Sequence, residues 1–298
     1  MLERLYPLGL LMTVVKDAVI VAAGLGSRML PTTAYVPKES LPLVDIPAFI
    51  HLIREAIAAE VTNIHIITSS KKDFSSFLTS KQEYHLLRPE ISKSLYESDK
   101  SVKFFIHTQA EPLGLGHAIL QSLDDINGPY LVLLGDNIIT NKFSSINNFE
   151  PSDASRKLVS TFKQTGLPCA AIYSVADSEV SNYGVVELIG ERISQVIEKP
   201  TPDQAPSNKV LCGRYLFTED SKALLKEEYS VAKYGEFQTI ELQKHWMENS
   251  GYIGVDLSDY QWYDSGNPIA WLKAQIDYGL RNQDYSADLK AWLKDRLN

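Results

Sequence analysis

Cysteine is nearly absent from this 298-residue chain: Cys169 and Cys212 are the only two. They sit in apolar surroundings with no neighbours at metal-ligand spacing, so they build no disulfide framework and read as small buried hydrophobes. The six histidines (His51, His65, His85, His107, His117 and His245) form no paired ligand motif, which argues against structural zinc. No apolar run approaches the roughly 18 residues that span a bilayer. The Leu8 to Val15 stretch is apolar, but little basic character precedes it and no small-residue cleavage site follows, so it is not read as a signal peptide. These absences predict a cytoplasmic, unprocessed and reduced chain. Met12 is as good a start as Met1, because the first strand begins after it. A basic excess is lacking too: 29 Lys and Arg stand against 37 Asp and Glu, a formal charge of −8. That excludes a protein that coats nucleic acid through a diffuse positive field.

What is present is ordinary for a soluble globular protein, with 44% hydrophobic and 22% charged residues. A compact chain of this mass buries roughly 74% of the surface that its unfolded form exposes. Length allows one large domain or two smaller ones. Apolar runs alternate with helical periodicity from the start. Ala18 to Ala23 reads as a strand buried on both faces. Ile46, Phe49, Ile50, Ile53 and Ile57 then recur as one helix face. Strands are predicted at Ile64 to Thr68, Val102 to His107 and Tyr130 to Leu134, with helices at Lys71 to Leu78 and Gly116 to Ile126. This alternation implies right-handed crossovers and a parallel sheet covered by helices. Ligands in such sheets bind beyond the carboxyl ends of the strands, where Gly24 and Asp136 both fall.

The second half is more mixed. Strands are predicted at Ala170 to Val175, Gly184 to Ile189, Ile193 to Ile197 and Leu211 to Phe217. Helices are expected at Gln238 to Glu248 and Pro268 to Arg281, with a short amphipathic helix at Asp288 to Leu297. Lys142 to Ser155 and Pro200 to Asn208 read as loops. No internal repeat or low-complexity tract is found.

The most informative stretch is Ala22-Ala23-Gly24-Leu25-Gly26-Ser27-Arg28-Met29-Leu30-Pro31, running on to Pro37-Lys38-Glu39-Ser40-Leu41-Pro42. A glycine-rich loop after a buried strand lets backbone N–H groups approach phosphates. Two neighbouring readings fail. The dinucleotide fingerprint needs a third glycine where Met29 stands, and an acid where Thr68-Ser69-Ser70 ends the second strand. The phosphate-binding Gly-Lys-Ser/Thr is also missing. What remains is a loop with two cations, Arg28 and Lys38, suited to a triphosphate, or else a plain tight turn.

Together with Leu43-Val44-Asp45, these residues resemble the signature of the sugar-1-phosphate nucleotidyltransferases. Within that family the nearest likeness is to the prokaryotic UTP–glucose-1-phosphate uridylyltransferases. Further stretches fall in the same order: Gln109-Ala110-Glu111-Pro112-Leu113-Gly114-Leu115-Gly116-His117-Ala118, Gly135-Asp136-Asn137, Ser181-Asn182-Tyr183-Gly184-Val185-Val186, Glu198-Lys199-Pro200, Gly213-Arg214-Tyr215 and Trp262-Tyr263-Asp264-Ser265-Gly266. The likeness runs over roughly residues 16 to 282 of the chain; several ordered motifs are stronger than any single one.

The resemblance implies an α/β fold: a Rossmann-like mixed, mainly parallel sheet flanked by helices, with smaller sugar-binding β elements and a C-terminal helical part. It implies one domain with a nucleotide-binding half over 16–150, a sugar-binding half over 151–267 and C-terminal helices over 268–298. The implied reaction is attack by a phosphate oxygen of glucose 1-phosphate on the α-phosphorus of UTP, releasing pyrophosphate. Both reactants are anions, so the task is neutralisation and in-line alignment, with no protein nucleophile. By resemblance Arg28 and Lys38 would bind the triphosphate, and Lys199 would hold the sugar phosphate as a point charge. Glu198 would accept from sugar hydroxyls, with Gly184 giving backbone access. The backbone of Ala23, Gly24 and Gly26, with Glu39, Gln109 and Gly114, would form the nucleotide site. An amide can donate and accept, so Gln109 is suited to a uracil edge and equally to ordinary loop hydrogen bonding. Asp136 and Asp264 are the carboxylates implied for Mg²⁺, a hard cation that takes few protein ligands.

Adjacent side chains on a strand point to opposite faces, so Glu198 and Lys199 reach one ligand only if the strand ends or bends there. The chain departs from the family at Gly235-Glu236-Phe237-Gln238-Thr239-Ile240-Glu241, where relatives read Gly-Glu-Ile-Gln-Leu-Thr-Asp. That change would alter sugar preference or repack a helix start. Uridine over thymidine rests on Leu113 to Ala118, and a thymidylyltransferase is the nearest alternative, since one methyl group is worth only about 1–3 kcal/mol. The rival from another class is a non-catalytic binding protein that keeps the fold. The resemblance also implies a homodimer or homotetramer, with small-molecule substrates and neither nucleic acid nor membrane as partner. Trp271 and Trp292 are candidates for the apolar contact surface or for covering the chain's own core.

Overall fold

The computed structural model describes residues 14–97, 99–227 and 237–297. Thirteen strands are described: β1 (Asp17–Val21), β2 (Pro42–Leu43), β3 (Ile46–Pro47), β4 (Asn63–Thr68), β5 (Lys103–Thr108), β6 (Tyr130–Leu134), β7 (Asn137–Thr140), β8 (Cys169–Ser174), β9 (Gly184–Ile189), β10 (Arg192–Glu198), β11 (Lys209–Phe217), β12 (Ile253–Asp256) and β13 (Gln261–Asp264). Nine form one sheet in the order β5-β4-β1-β6-β11-β8-β12-β10-β9. The first four are parallel, and β11 then runs antiparallel to β6. The sheet has four parallel pairs and five antiparallel ones, the fifth being an additional pairing of β11 with β9. The sheet is mixed, as expected, but not mainly parallel: its parallel run is β5-β4-β1-β6, and the strands of the second half pair mostly antiparallel.

The described α-helices are α1 (Ala48–Ala58), α2 (Ser75–Leu78), α3 (Gln82–His85), α4 (Leu115–Leu120), α5 (Ala154–Thr165), α6 (Ser221–Glu227), α7 (Ile240–Glu248), α8 (Pro268–Arg281) and α9 (Ser286–Leu297). Two apolar layers sandwich the sheet because strand side chains alternate. Ala18 and Ile20 of β1 face a layer with Phe49 and Leu52 of α1 and Leu158 and Phe162 of α5. Val19 faces the other layer, with Ala118 and Ile119 of α4 and Leu242 and Trp246 of α7. The cysteines behave as expected. Both are buried in the first layer, and burial pushes the Cys212 thiol up to about 12.

β1 is flanked by β4 on one side and β6 on the other. Chain connections leave in opposite directions at that point, which opens a crevice at the carboxyl end of β1. A second, smaller ribbon pairs β7 with β13, setting Asn137 opposite Asp264. α8 covers this ribbon. Asn267 Oδ1 accepts from Ala270 N at 2.8 Å, and Pro268 starts the helix, where its missing N–H costs nothing. Its Trp271, Ala274 and Tyr278 pack with Ile138 and Tyr263 of the ribbon. Trp271 therefore covers the chain's own core, whereas Trp292 on α9 is 54% exposed. No residue of α9 is fully buried, but one side of it packs on α8, with Leu289 close to Gly279, so the amphipathic helix expected there is present with its inner face half-covered.

A buried ion pair ties the sheet to α1. Arg214 donates to both carboxylate oxygens of Glu55, at 2.8 and 2.9 Å, and to Asn137 O at 2.8 Å. Among the described residues no helix is long and apolar enough to cross a membrane.

His51 on α1 gives the fold an acid sensitivity. It is buried edge-on to Phe149 and Tyr278, Nε2 has no hydrogen-bond partner, and burial lowers its pKa from 6.5 to about 4. The unfolded chain then binds a proton that the folded chain resists, so stability falls as pH drops from about 6.5 towards 4. The full effect corresponds to about 3 kcal/mol. Urea titrations across this range should show a shallower loss for His51→Leu than for the parent; equal slopes would contradict the assignment.

Candidate active site

The crevice at the end of β1 is built by a loop that turns back on itself. Gly26 has φ 68°, a left-handed conformation that favours glycine, and its carbonyl accepts from Thr33 Oγ1 at 2.8 Å. Gly24 is exposed with open space beside it, and Ala23 is buried against the layer containing α4. The next turn carries Lys38 inward. Its ammonium donates to Asp136 Oδ2 at 2.5 Å, just past the end of β6.

Asp136 and Asp264 are brought together by the β7–β13 ribbon. Asp136 Oδ1 accepts from Asn137 Nδ2 at 2.7 Å, and its backbone oxygen accepts from Ser265 N at 2.8 Å. Asp264 Oδ1 accepts from Gly266 N at 2.6 Å. Arg28 reaches the same place: a side chain at position 266 would meet Asp264 Oδ1 at 2.6 Å and Arg28 Nη2 at 2.9 Å. Burial opposes ionisation of Asp136, but the Lys38 ammonium holds its carboxyl below the ordinary range. The Asp264 carboxyl is pushed up, first by burial and then by the charge of Asp136; Gly266 N–H, Arg28 and Lys38 oppose the rise only in part. Two half-buried carboxylates that repel each other suit a divalent cation, which would remove the repulsion. No cluster of three or more acidic, histidine or cysteine ligands exists among the described residues. Two carboxylates plus phosphate oxygens and water form the kind of donor set that Mg²⁺ takes.

Gly184, Glu198 and Lys199 form a second cluster. β10 ends at Glu198, and Lys199 has φ 46°, so the chain does bend where the two side chains must converge. Lys199 Nζ lies 3.2 Å from Glu198 Oε1, with both side chains more than half exposed. Such a surface pair is weak, which leaves both groups available to a ligand. Gly184 pairs with Glu198 across the strands, and a side chain there would meet Glu198 Oε2 at 3.1 Å.

A polar and aromatic chain joins the two clusters. Lys199 N donates to Tyr183 O at 2.9 Å, the Tyr183 ring packs 4.9 Å from that of Trp262, and Trp262 Nε1 donates to Asn137 Oδ1 at 2.6 Å. Asn137 in turn holds Asp136. These roles of Asn137, Tyr183 and Trp262 were missed in the sequence, although all three lie inside the ordered motifs.

The third part is the loop after β5. Gln109 is 6% exposed, and its Nε2 donates to Gly114 O at 3.1 Å and faces His117 Nδ1 at 3.0 Å. Gly114 has φ 109°, and a side chain there would strike the Phe237 carbonyl at 2.8 Å. Phe237 N donates to Leu113 O at 2.5 Å. The described part of the segment that departs from the family thus supports the loop holding Gln109. Gly235 and Glu236 lie outside the described residues.

Glu39 requires a correction. It was expected as a nucleotide contact, but it is only 1% exposed and gives both oxygens to Lys72 Nζ, at 3.0 and 2.8 Å. Lys72 also donates to Ala22 O at 2.8 Å. The pair therefore fastens the loop from beneath. Lys72 carried no motif signal, because its partner lies 33 residues away. Burial works against both charges, pushing the Glu39 carboxyl up and the Lys72 ammonium down, and each is opposed by the other. Lys72→Met should cost about 3–5 kcal/mol by leaving a buried carboxylate without its cation. Guanidinium unfolding of Lys72→Met and of the double variant with Glu39→Gln checks this. The second change should recover most of the loss; additive losses would show that the groups do not depend on each other.

Residues 17–279 match the family model described as "Nucleotidyl transferase". The UTP–glucose-1-phosphate uridylyltransferase of Escherichia coli (strain K12) is 32% identical over 301 residues, covering 96% of this chain and 97% of its own length. Its namesake in Staphylococcus epidermidis is 30% identical over 297 residues, with coverage of 94% and 98%. Among solved structures, a UDP-glucose pyrophosphorylase from Acinetobacter baumanii superposes with a TM-score of 0.80 at 25% identity, over 95% of this chain and 99% of that one. A UDP-glucose pyrophosphorylase complexed with UDP-glucose gives a TM-score of 0.77 at 28% identity, over 90% and 100%. With its glycine-rich loop at the end of β1 and its family match over most of its length, the chain belongs to the nucleotidyl transferase family.

Proposed function

We propose that this protein transfers a uridylyl group from UTP to α-D-glucose 1-phosphate, giving UDP-glucose and pyrophosphate. The observation that carries the reading is the meeting of Arg28, Lys38, Asp136 and Asp264 at the carboxyl ends of β1 and β6. Near-full-length relatives named for this reaction supply the substrates. A related structure is described as UTP-bound and another as complexed with UDP-glucose.

The chemistry follows from charge. Attack of one phosphate on another needs both anions neutralised and held in line. Arg28 and Lys38 bind the triphosphate and stabilise the charge that builds on pyrophosphate as it leaves. Lys199 holds the phosphate of the sugar, Glu198 accepts from its hydroxyls, and Gly184 leaves room for the ring. The backbone of Ala23, Gly24 and Gly26 with Gly114 lines the nucleotide, and Gln109 meets the base edge. Asp136 and Asp264 would hold Mg²⁺, which supplies charge neutralisation and orientation at the phosphates. The chain's own contribution there is to keep Asp136 ionised through Lys38.

The same reading carries a nucleotide-binding half over 16–150, a sugar-binding half over 151–267 and a cytoplasmic setting. It also carries assembly into a homodimer or homotetramer, supported by the apolar Ile269, Leu272 and Ile276 exposed on α8.

Pyrophosphate release with Mg²⁺, measured over UTP and dTTP and over glucose, galactose and N-acetylglucosamine 1-phosphates, tests the assignment. UTP with glucose 1-phosphate should turn over fastest. A dTTP preference would make the protein a thymidylyltransferase. Tight UDP-glucose binding without turnover would make it a binding protein. Asp136→Asn should lower turnover at least ~100-fold, by analogy with loss of one transition-state electrostatic contact; an unchanged rate and metal dependence would remove Asp136 from the metal site.

A further inference from the structure

Gln109 is held in one orientation of its amide. Nε2 faces the Gly114 carbonyl at 3.1 Å, and a carbonyl only accepts. Turning the amide over would set Oε1 against that oxygen. The second contact of Nε2 is His117 Nδ1 at 3.0 Å, so Nδ1 is the acceptor and the ring proton sits on Nε2. Gln121 also approaches the ring, 3.3 Å from His117 Nε2, but its amide nitrogen has a better acceptor in the His117 backbone oxygen at 2.9 Å. A neutral imidazole has one acceptor and cannot serve both amides. The shorter contact belongs to the more buried one, Gln109.

α4 fixes the ring in place. Ala118 and Ile119 beside it are buried, and His117 N donates to Phe237 O at 3.2 Å. With both amide hydrogens of Gln109 used inside the loop, Oε1 is the atom left for a ligand. An acceptor there matches a base whose edge offers a donor. Uracil and thymine carry N3–H; cytosine has an acceptor at N3 with an amino group beside it.

We propose that His117 is a positioning residue for base selection: by accepting from Gln109 Nε2 it presents Oε1 to N3–H, so the site takes uracil or thymine nucleotides and rejects cytosine. This rests on the reading of Gln109 as the base contact. His117 does not touch the substrate. Its effect passes through the orientation of one amide.

The test measures kcat and KM for UTP and for CTP in the parent, Gln109→Leu, His117→Leu, His117→Asn and His117→Gln, with thermal melts alongside. Asn places an amide at the δ position of the imidazole and can accept there; Gln places it at the ε position. His117→Leu and His117→Gln should narrow the UTP-over-CTP ratio of kcat/KM by at least ~10-fold, mostly through KM for UTP, and His117→Asn should restore it to within about 3-fold. Should the leucine variant fail to fold, the Asn and Gln pair decides. Equal effects of Asn and Gln, or losses of the same size for both nucleotides, would overturn the proposal in favour of a packing role. If Gln109→Leu narrows the ratio and no His117 variant does, the positioning role alone falls. An unchanged ratio in Gln109→Leu overturns the base contact and the positioning role together.

Discussion

The pairing of β7 with β13 is the constraint on which the site depends. It joins segments more than 120 residues apart and sets Asn137 opposite Asp264, so that Asp136 and Asp264 share one half-buried corner. Two carboxylates there repel, and the surroundings answer that repulsion. Lys38 sits on Asp136, Gly266 N–H on Asp264, and Arg28 lies beside both. α8 packs over the ribbon, and Arg214 reaches across from Glu55 to the backbone of Asn137. Breaking the Glu55–Arg214 pair would therefore disturb the core and the carboxylates together.

An acidic protein that handles phosphates needs its positive charge in the right places and little elsewhere. The net charge of −8 leaves no general field for anions. Arg28 and Lys38 converge on the carboxylates, while Lys199 waits on an exposed bend with Glu198 as its only ion-pair partner among the described residues. The chain from Lys199 through Tyr183, Trp262 and Asn137 to Asp136 links the two clusters by direct contacts. Tyr183 feels the carboxylate end of this chain: burial pushes its hydroxyl up, Asp264 and Glu179 add to this, and Arg28 opposes it.

Much of this was legible in the chain, for local reasons. Tyr130–Leu134, Gly184–Ile189 and Pro268–Arg281 form at the bounds expected, because apolar runs, turn glycines and an Asn-Pro helix start all act within a few residues. The bend at Lys199 was anticipated from the need for adjacent side chains to converge. The helix expected over 71–78 shrinks to Ser75–Leu78, since Lys72 leaves that path to reach Glu39 and Ala22. The helix expected over 116–126 ends at Leu120. β12 and β13 carry weak local pattern, and their pairing with β8 and β7 is a tertiary outcome. Glu39 shows the limit most clearly: motif position placed it near nucleotide, and burial places it beneath the loop.

The central claim is that Asp136 and Asp264 together bind a divalent cation with the nucleotide. Anomalous diffraction from crystals grown with UTP and Mn²⁺ in place of Mg²⁺ tests it directly. The account predicts one strong peak within coordinating distance of both carboxylates and of phosphate oxygens, with Lys38 drawn away from Asp136. A peak bound to phosphates alone, with Lys38 still seated on Asp136, would contradict it.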